Sequence, residues 1–216
     1  KAAGYATGGF GKWGCGGRGS TGVPEKHGFD VFFGYYDQVH AHTYFPRYLI
    51  RNSEEVPLPG NTGNPHGGQT FSQYRIFEAG KEFIRANKDR PFFAYLCWTP
   101  PHGRWGLPKD DPSWALYKDK PWSLKNREWA AMMTHLDHGV GRMVNLLKEL
   151  ELLENTIIFF AGDNGYSQWG YFGRRAFDDD PLFKNKGPWP KGKFTCTHEG
   201  GVRVPLFAYW KGKIAA

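Results

Sequence analysis

The pattern that most constrains the fold is a helix followed by a short apolar run, and it occurs twice along the chain. Residues 70–88 and 129–152 carry apolar side chains at helical spacing. Apolar runs follow at 90–98 and 155–162, as expected of parallel strands covered on both faces, and a third run lies at 203–210. This order predicts an α/β domain with a mostly parallel or mixed sheet, helices on both faces, and the first two strands parallel in one sheet.

Two long loops, 99–122 and 163–193, follow the first two predicted strands. Both are rich in Trp, Gly and Pro, and an aromatic content of 17% argues against disorder. In open α/β sheets, ligands bind beyond the carboxyl ends of the strands. We therefore expect the functional residues in these loops.

Composition limits the class of partner. The net charge of +7 favours anionic partners such as phosphate or sulfate esters. The basic residues are scattered and form no nucleic-acid-binding motif, so nucleic acid is not expected. No apolar run reaches about 18 residues, so no membrane span is expected. The cysteines, Cys15, Cys97 and Cys196, are too widely spaced for a C-x-x-C site.

A glycine-rich stretch at residues 9–19 reads GFGKWGCGGRG. It contains G-x-G-x-x-G, but the residues after the third glycine cannot begin a helix, so a dinucleotide site is rejected. Lys12, flanked by glycines, can approach a bound anion, although a solvated lysine is the alternative. Cys15 is interpreted as structural, because only Arg18 stands near it to activate a thiolate.

Polar residues stand where the two predicted strands end. His102 opens the loop after 90–98 and is a candidate general acid; the alternative is a loop histidine bonded to backbone. Asp163 and Asn164 directly follow 155–162 and offer hard oxygen ligands for Ca²⁺ or Mg²⁺. The alternative for this pair is a simple turn.

Two further groups contain residue types that can bind metals. His40 and His42 alternate with an alanine, and on an extended segment their side chains would point the same way. Packing or substrate contact is favoured over zinc, since no third ligand is nearby. The acidic groups Asp110–Asp111 and Asp178–Asp180 lie inside loops and are interpreted as solvated.

Six consecutive segments together resemble the type I, formylglycine-dependent sulfatases, the arylsulfatase-like enzymes. They are GYATGGFGKWG, HGFDVFFGYY, HAHTYFPRYL, RPFFAYLCWTPPH, AAMMTHLDHGVGRMVNLLKELELLENTIIFFAGDNG and HEGGVRVPLFAYWKGKI. Each motif is weak, but the ordered set is specific and covers essentially the whole chain. The resemblance implies an alkaline-phosphatase-like α/β fold. It also implies a single, incomplete catalytic domain over 1–216, without the N-terminal segment and the C-terminal subdomain, and an extracytoplasmic location.

The resemblance also assigns catalytic roles. Lys12 matches a lysine that binds the sulfate, and Lys193 matches a second one, with Lys191 as the alternative. His102 matches a histidine that contacts the sulfate and protonates the leaving oxygen.

The resemblance further implies a metal site and substrate contacts. Asp163 and Asn164 match the ligands of Ca²⁺, with Mg²⁺ as the alternative, and a pair of aspartates that completes the site is expected before Lys1. A histidine of the family falls on Gly14 here. His40 and His42 are therefore predicted as substrate-binding residues, one of which replaces it.

The implied function is hydrolysis of a sulfuric ester, from a sulfated carbohydrate or an aryl sulfate. None of the three cysteines has Arg four residues later, so the formylglycine nucleophile is expected outside this chain, which alone should be inactive. One alternative is a phosphodiesterase or phosphonate hydrolase of the same superfamily. The other is a non-catalytic protein that binds a sulfated glycan.

Overall fold

The chain divides into two compact units in the structure, which is a computed structural model. The first unit comprises residues 1–120 and 128–143, and the second comprises 121–127 and 144–216. The residues that the structure describes are 1–64, 66–103, 105–167, 188–189, 192–194 and 197–215. A single domain over the whole chain stays a prediction.

The first unit is built on a five-stranded mixed sheet with the strand order β4-β3-β2-β1-β5. The strands are β1 (Ala6–Lys12), β2 (Val31–Tyr35), β3 (Tyr48–Arg51), β4 (Glu54–Pro57) and β5 (Phe92–Cys97). Strand β1 runs parallel to its neighbours β2 and β5, whereas β3 pairs antiparallel with both β2 and β4. The predicted α/β class with a mixed sheet is confirmed.

Both predicted long helices are present. They are α1 (Ser72–Ala86) and α3 (Leu124–Glu149), with the short helix α2 (Pro112–Ala115) between them. Two 3₁₀ helices precede α1, at Pro24–His27 and His40–His42. Helix α1 packs on the sheet, where the rings of Phe83 and Phe10 lie 5.4 Å apart. Helix α3 begins earlier than periodicity predicts because Ser123 accepts a hydrogen bond from the backbone of Asn126. Among the described residues, no helix combines the length and apolar character required to cross a membrane.

The second unit contains a two-stranded antiparallel sheet of β6 (Ile158–Ala161) and β7 (Leu206–Tyr209). It also contains the short helix α4 (Glu199–Val202) and a 3₁₀ turn at Leu153–Asn155. The prediction that 90–98 and 155–162 lie parallel in one sheet is wrong for the described residues, since β6 pairs with β7 instead. An apolar run indicates a strand but does not specify its hydrogen-bonding neighbour.

Burial of the apolar strands on both faces is also not observed. In β5 the side chains of Phe93 and Tyr95 are 52% and 45% exposed. In the second unit Phe159 and Phe207 are exposed as well. Strand β5 is at the edge of the five-stranded sheet. The described residues therefore cover its side chains less completely than its apolar sequence predicts.

Strands β1 and β5 approach each other closely at Gly11. Its φ of +126° lies in a region that L side chains rarely adopt. A Cβ atom at this position would lie only 2.1 Å from the carbonyl oxygen of Cys97. Gly11 therefore allows β1 and β5 to pack closely beside Lys12. No helix begins at Gly14, which agrees with the rejection of a dinucleotide site.

Asp111 forms a buried polar anchor for the loop that follows β5. Its side chain accepts hydrogen bonds from Tyr74 Oη at 2.5 Å, His135 Nδ1 at 3.0 Å and the Ser113 amide at 2.8 Å. The prediction of solvation is thus wrong for Asp111, which is 4% exposed, and holds for the exposed Asp110. Asp178–Asp180 lie outside the described residues.

Hydrogen bonding decides the ionisation of this carboxylate. Burial opposes the charged form, but the bonds from His135, Tyr74 and the Ser113 amide outweigh it and hold the pKa of Asp111 well below its usual range. The three donors belong to α3, α1 and α2, so one ionised side chain fixes the loop against two long helices.

We expect Gly11→Ala to destabilise the protein by about 2 kcal/mol or more, because the new methyl group would clash with backbone and require a strained φ. Gly17→Ala is the matched control, because its Cβ meets no atom within 4 Å. Urea unfolding of both variants measures the difference. Equal midpoints for the two variants would show that the close approach is not required.

We expect Asp111→Asn to lower the free energy of unfolding by about 2 to 4 kcal/mol at neutral pH, while Asp110→Asn changes it little. Since the folded pKa of Asp111 lies below its ordinary 3.8, the contribution is complete above that pH and is lost as the pH falls through the folded value. Urea unfolding of wild type and variants between pH 7 and about 3 checks this. A wild-type advantage over Asp111→Asn that does not shrink on acidification would contradict it.

Candidate functional site

The candidate residues of the first unit lie at or beyond the carboxyl ends of three parallel strands, β1, β2 and β5. Lys12 ends β1 and lies beside Tyr35, the last residue of β2, while the preceding residue pairs with Cys97 at the end of β5. The loops that leave these strands from the same edge carry the predicted histidines His40, His42 and His102. This edge is where open α/β sheets bind ligands.

The charge of Lys12 influences the ionisation of Cys97. Burial raises the pKa of the Cys97 thiol to about 12, and the positive charge of Lys12 partly opposes this shift. The thiol also donates to the carbonyl of Phe10 at 3.5 Å. Cys97 is therefore a protonated thiol rather than a nucleophile. The ammonium of Lys12 acts on the end of the strand from which the His102 loop departs.

His42 and His102 are in direct contact. Their rings are stacked with centroids 4.0 Å apart and an interplanar angle of 10°. His42 is buried, whereas His102 is half-buried. The structure thus places one of the two predicted substrate-binding histidines against the predicted general acid.

Three hydrogen bonds fix the backbone and ring of His102. Its amide donates to the carbonyl of Thr99 at 3.0 Å, and its own carbonyl accepts from Tyr44 Oη at 2.7 Å. Its Nδ1 lies 2.5 Å from the carbonyl oxygen of Gly103. Because a carbonyl can only accept, Nδ1 carries a proton, and Nε2 is the nitrogen that can gain and lose one.

His40 and His42 do not lie on an extended segment, on which their side chains would point the same way. They lie in a 3₁₀ helix, in which the side chains of residues i and i+2 point in directions about 120° apart. The ring of His40 packs 4.6 Å from Tyr48 and 5.2 Å from Tyr35. Burial lowers the pKa of His40, which favours its neutral form. His40 thus packs among tyrosines while His42 meets His102.

In the second unit, Asp163 and Asn164 directly follow β6. Asn164 Nδ2 donates to the Gly165 carbonyl at 3.1 Å, so its amide oxygen is the atom suited to a cation. Asn164 also lines a cavity of about 330 Å³. Within the described ranges, no three His, Cys, Asp or Glu side chains are grouped to hold a metal ion. Among the described residues, Asp163 and Asn164 could thus supply part, but not all, of a set of oxygen ligands for a hard cation.

The same unit brings Lys193 close to this segment. The Lys193 amide donates to the carbonyl of Tyr166 at 2.9 Å, and a Cβ at Gly192 would lie 2.1 Å from the same oxygen. Its ammonium lies 5.5 Å from the ring centroid of Phe194. Lys191 falls outside the described residues. Lys193 and Asn164 thus lie on neighbouring segments.

Sequence reasoning did not single out two residues of these regions. Arg203 lines the cavity with Asn164; its guanidinium lies 4.0 Å above Trp189 and 3.0 Å from Glu199. Arg203 follows the E-G-G motif by two residues, and this is the sequence feature that could have identified it. Tyr44, which bonds to His102, carried no sequence signal.

The predicted catalytic and metal-binding residues are divided between the two units. Lys12 and His102 lie at one edge of the sheet in the first unit, and Asp163 and Lys193 belong to the second unit.

Comparison with known proteins connects these observations. Residues 1–216 match the Sulfatase family throughout. The chain is 31% identical over 232 residues to the N-acetylgalactosamine-6-sulfatase of Canis lupus familiaris, covering 100% of this chain and 39% of the dog protein. It is 31% identical over 193 residues to the uncharacterized sulfatase YdeN of Escherichia coli (strain K12), covering 88% of this chain and 30% of YdeN.

Solved structures show the same relationship. The crystal structure of Ps i-CgsB in complex with k-i-k-neocarrahexaose superimposes with a TM-score of 0.75 and 26% identity, over 100% of this chain and 47% of that one. The PsFucS1 sulfatase from Pseudoalteromonas sp. superimposes with a TM-score of 0.71 and 26% identity, over 100% and 44% of the two chains. The chain thus spans less than half the length of these relatives. The match over its whole length shows that it belongs to the sulfatase family.

Proposed function

We propose that this chain forms part of a sulfuric ester hydrolase that removes sulfate from a sulfated carbohydrate or an aryl sulfate. The observation that carries the proposal is the placement of a lysine and a fixed histidine, Lys12 and His102, beyond the ends of adjacent parallel strands. The dog relative is an N-acetylgalactosamine-6-sulfatase by name, and Ps i-CgsB was solved in complex with k-i-k-neocarrahexaose. These names favour a sulfated carbohydrate, and family members suggest an extracytoplasmic location.

Charge and proton transfer define the roles. A sulfate ester is anionic and resists nucleophiles, so the ammonium groups of Lys12 and Lys193 would neutralise and orient it. His102 would donate the Nε2 proton to the leaving oxygen, because its Nδ1 is engaged with the Gly103 carbonyl. A contact of His40 or His42 with the substrate stays a prediction.

Asp163 and Asn164 would hold Ca²⁺, or Mg²⁺ as the alternative, together with ligands from outside this chain. When bound, the cation would add positive charge that polarises the sulfate. The nucleophile is proposed to be a formylglycine outside this chain. Cys97 is unsuited to that role, because Pro101 rather than an arginine stands four residues after it.

We expect the full-length protein to release sulfate from 4-nitrophenyl sulfate or from a sulfated oligosaccharide. His102→Ala should lower kcat on the sulfated oligosaccharide by about 10²- to 10⁴-fold, through loss of the general acid. The control is His27→Ala, an exposed histidine in the 3₁₀ turn after the glycine-rich loop, which should retain activity.

Assay of bis(4-nitrophenyl) phosphate and mass spectrometry for formylglycine separate the alternatives. Cleavage of the phosphodiester without formylglycine would indicate a phosphodiesterase or phosphonate hydrolase. Binding of a sulfated glycan without cleavage of any ester would indicate a non-catalytic protein.

We expect Asp163→Ala in the full-length protein to weaken Ca²⁺ binding at least tenfold, because a charged ligand is lost. Isothermal titration calorimetry with Ca²⁺ alone measures this without an assay of activity. Asp137→Ala, at an exposed position of α3, is the control and should bind as wild type does. Unchanged affinity of Asp163→Ala would place the metal elsewhere.

A further inference from the structure

We propose that His42 and Tyr44 are positioning residues, which together hold the imidazole of His102 in the orientation required for proton donation. The inference rests on the proposed function, since it assigns a means of orienting the acid of that reaction. The pair is called the His102 cradle below.

The Tyr44 side chain holds the backbone of His102. Its hydroxyl donates to the His102 carbonyl at 2.7 Å, and the residue is fully buried. Burial holds the pKa of Tyr44 well above its usual value, so the phenol remains a protonated donor.

Tyr44 is itself held rigidly on two sides. Its carbonyl accepts bonds from both the amide and the hydroxyl of Ser72, at 3.0 and 2.8 Å, where α1 begins. Its ring lies 5.8 Å from that of Phe71. Both rings belong to one buried cluster, whose members are Tyr44, Phe45, Phe71, Leu107, Trp114, Ala131 and Met132. A donor fixed to a helix and packed in the core can define the place of a loop residue.

His42 holds the ring of the same residue. It stacks on His102 at 4.0 Å, and the near-parallel planes restrict tilting of the imidazole. Only Thr43 separates the two members of the cradle, so a single segment constrains both the backbone and the ring of His102. A general acid requires its donor atom within hydrogen-bond reach of the leaving oxygen, so such constraint acts on the chemical step.

The leaving group provides the test. A sulfated sugar has a poor leaving group that requires protonation, whereas 4-nitrophenyl sulfate releases an acidic phenol that needs little. In the full-length protein, Tyr44→Phe should lower kcat on the sulfated oligosaccharide roughly three- to tenfold, with KM unchanged and a much smaller loss on 4-nitrophenyl sulfate. In a His102→Ala background, Tyr44→Phe should cause no further loss.

Tyr117→Phe is the matched control. Tyr117 packs against the same cluster and its hydroxyl bonds to Thr134 Oγ1 at 2.8 Å, so the change also removes a hydroxyl. It should affect both substrates equally, if at all. Equal losses on both substrates for Tyr44→Phe, or an undiminished loss without His102, would overturn the proposal. Wild-type protein that cleaves neither sulfate would instead refute the proposed function, and the acid role with it.

A second pair of variants serves if Tyr44→Phe does not fold. His42→Ala should reproduce the greater loss on the poor leaving group, and His42→Phe should remove the difference between the two substrates, because a flat ring can still stack on His102. A difference that persists in His42→Phe would show that His42 does not act through the orientation of His102.

Discussion

The contact between β1 and β5 is the constraint on which the site of the first unit depends. The parallel register ends with Gly11 opposite Cys97, and only a glycine lets the two backbones approach this closely. The next residue along β1 is Lys12, and the chain beyond β5 leads to His102. Because side chains alternate along a strand, a slip of one residue in β1 would direct the lysine to the opposite face. Strand register thus fixes where the cation is presented.

The loop beyond β5 is held by polar bonds inside an aromatic environment. Tyr44 secures it at His102, and Asp111 secures it further along through Tyr74 and His135. A buried charge is costly unless every bond is made, so few positions of the loop satisfy the carboxylate. Asp111 is almost completely buried, and the rings of Phe71 and Phe77 pack beside its partner His135. Little water therefore competes for these hydrogen bonds, which are stronger as a result. Apolar contact alone would tolerate small displacements of the loop that these directional bonds resist.

The elements set by local patterns were predictable from the sequence. Periodicity located α1 and most of α3, and the apolar runs located β5, β6 and β7. Pairing was not predictable in the same way, because the partner of β6 is a distant segment rather than a neighbour with a distinctive pattern.

The candidate site shows the same division. Lys12 and His102 were identified from their motifs, and the structure places them at the expected edge of the sheet. Asp111 was misjudged because a carboxylate in a polar loop is usually solvated, and its three donors come from separate parts of the chain. The turn of His40–His42 was missed because the spacing of two histidines fits a strand or a 3₁₀ helix equally well.

The bonds that hold His102 follow from what a general acid would do, in contrast to a lysine that neutralises charge. Coulombic attraction falls off only as the inverse of distance, so a lysine loses about a fifth of it when a 4 Å separation becomes 5 Å. Proton transfer fails over the same displacement, because the donor must lie within about 2.6 to 3.2 Å of its acceptor. The chain accordingly surrounds His102 with bonds to its amide, carbonyl and Nδ1 and with a stacked ring. The stack sets only the plane of the imidazole, and the bond from Nδ1 to Gly103 then determines the direction in which Nε2 would present its proton.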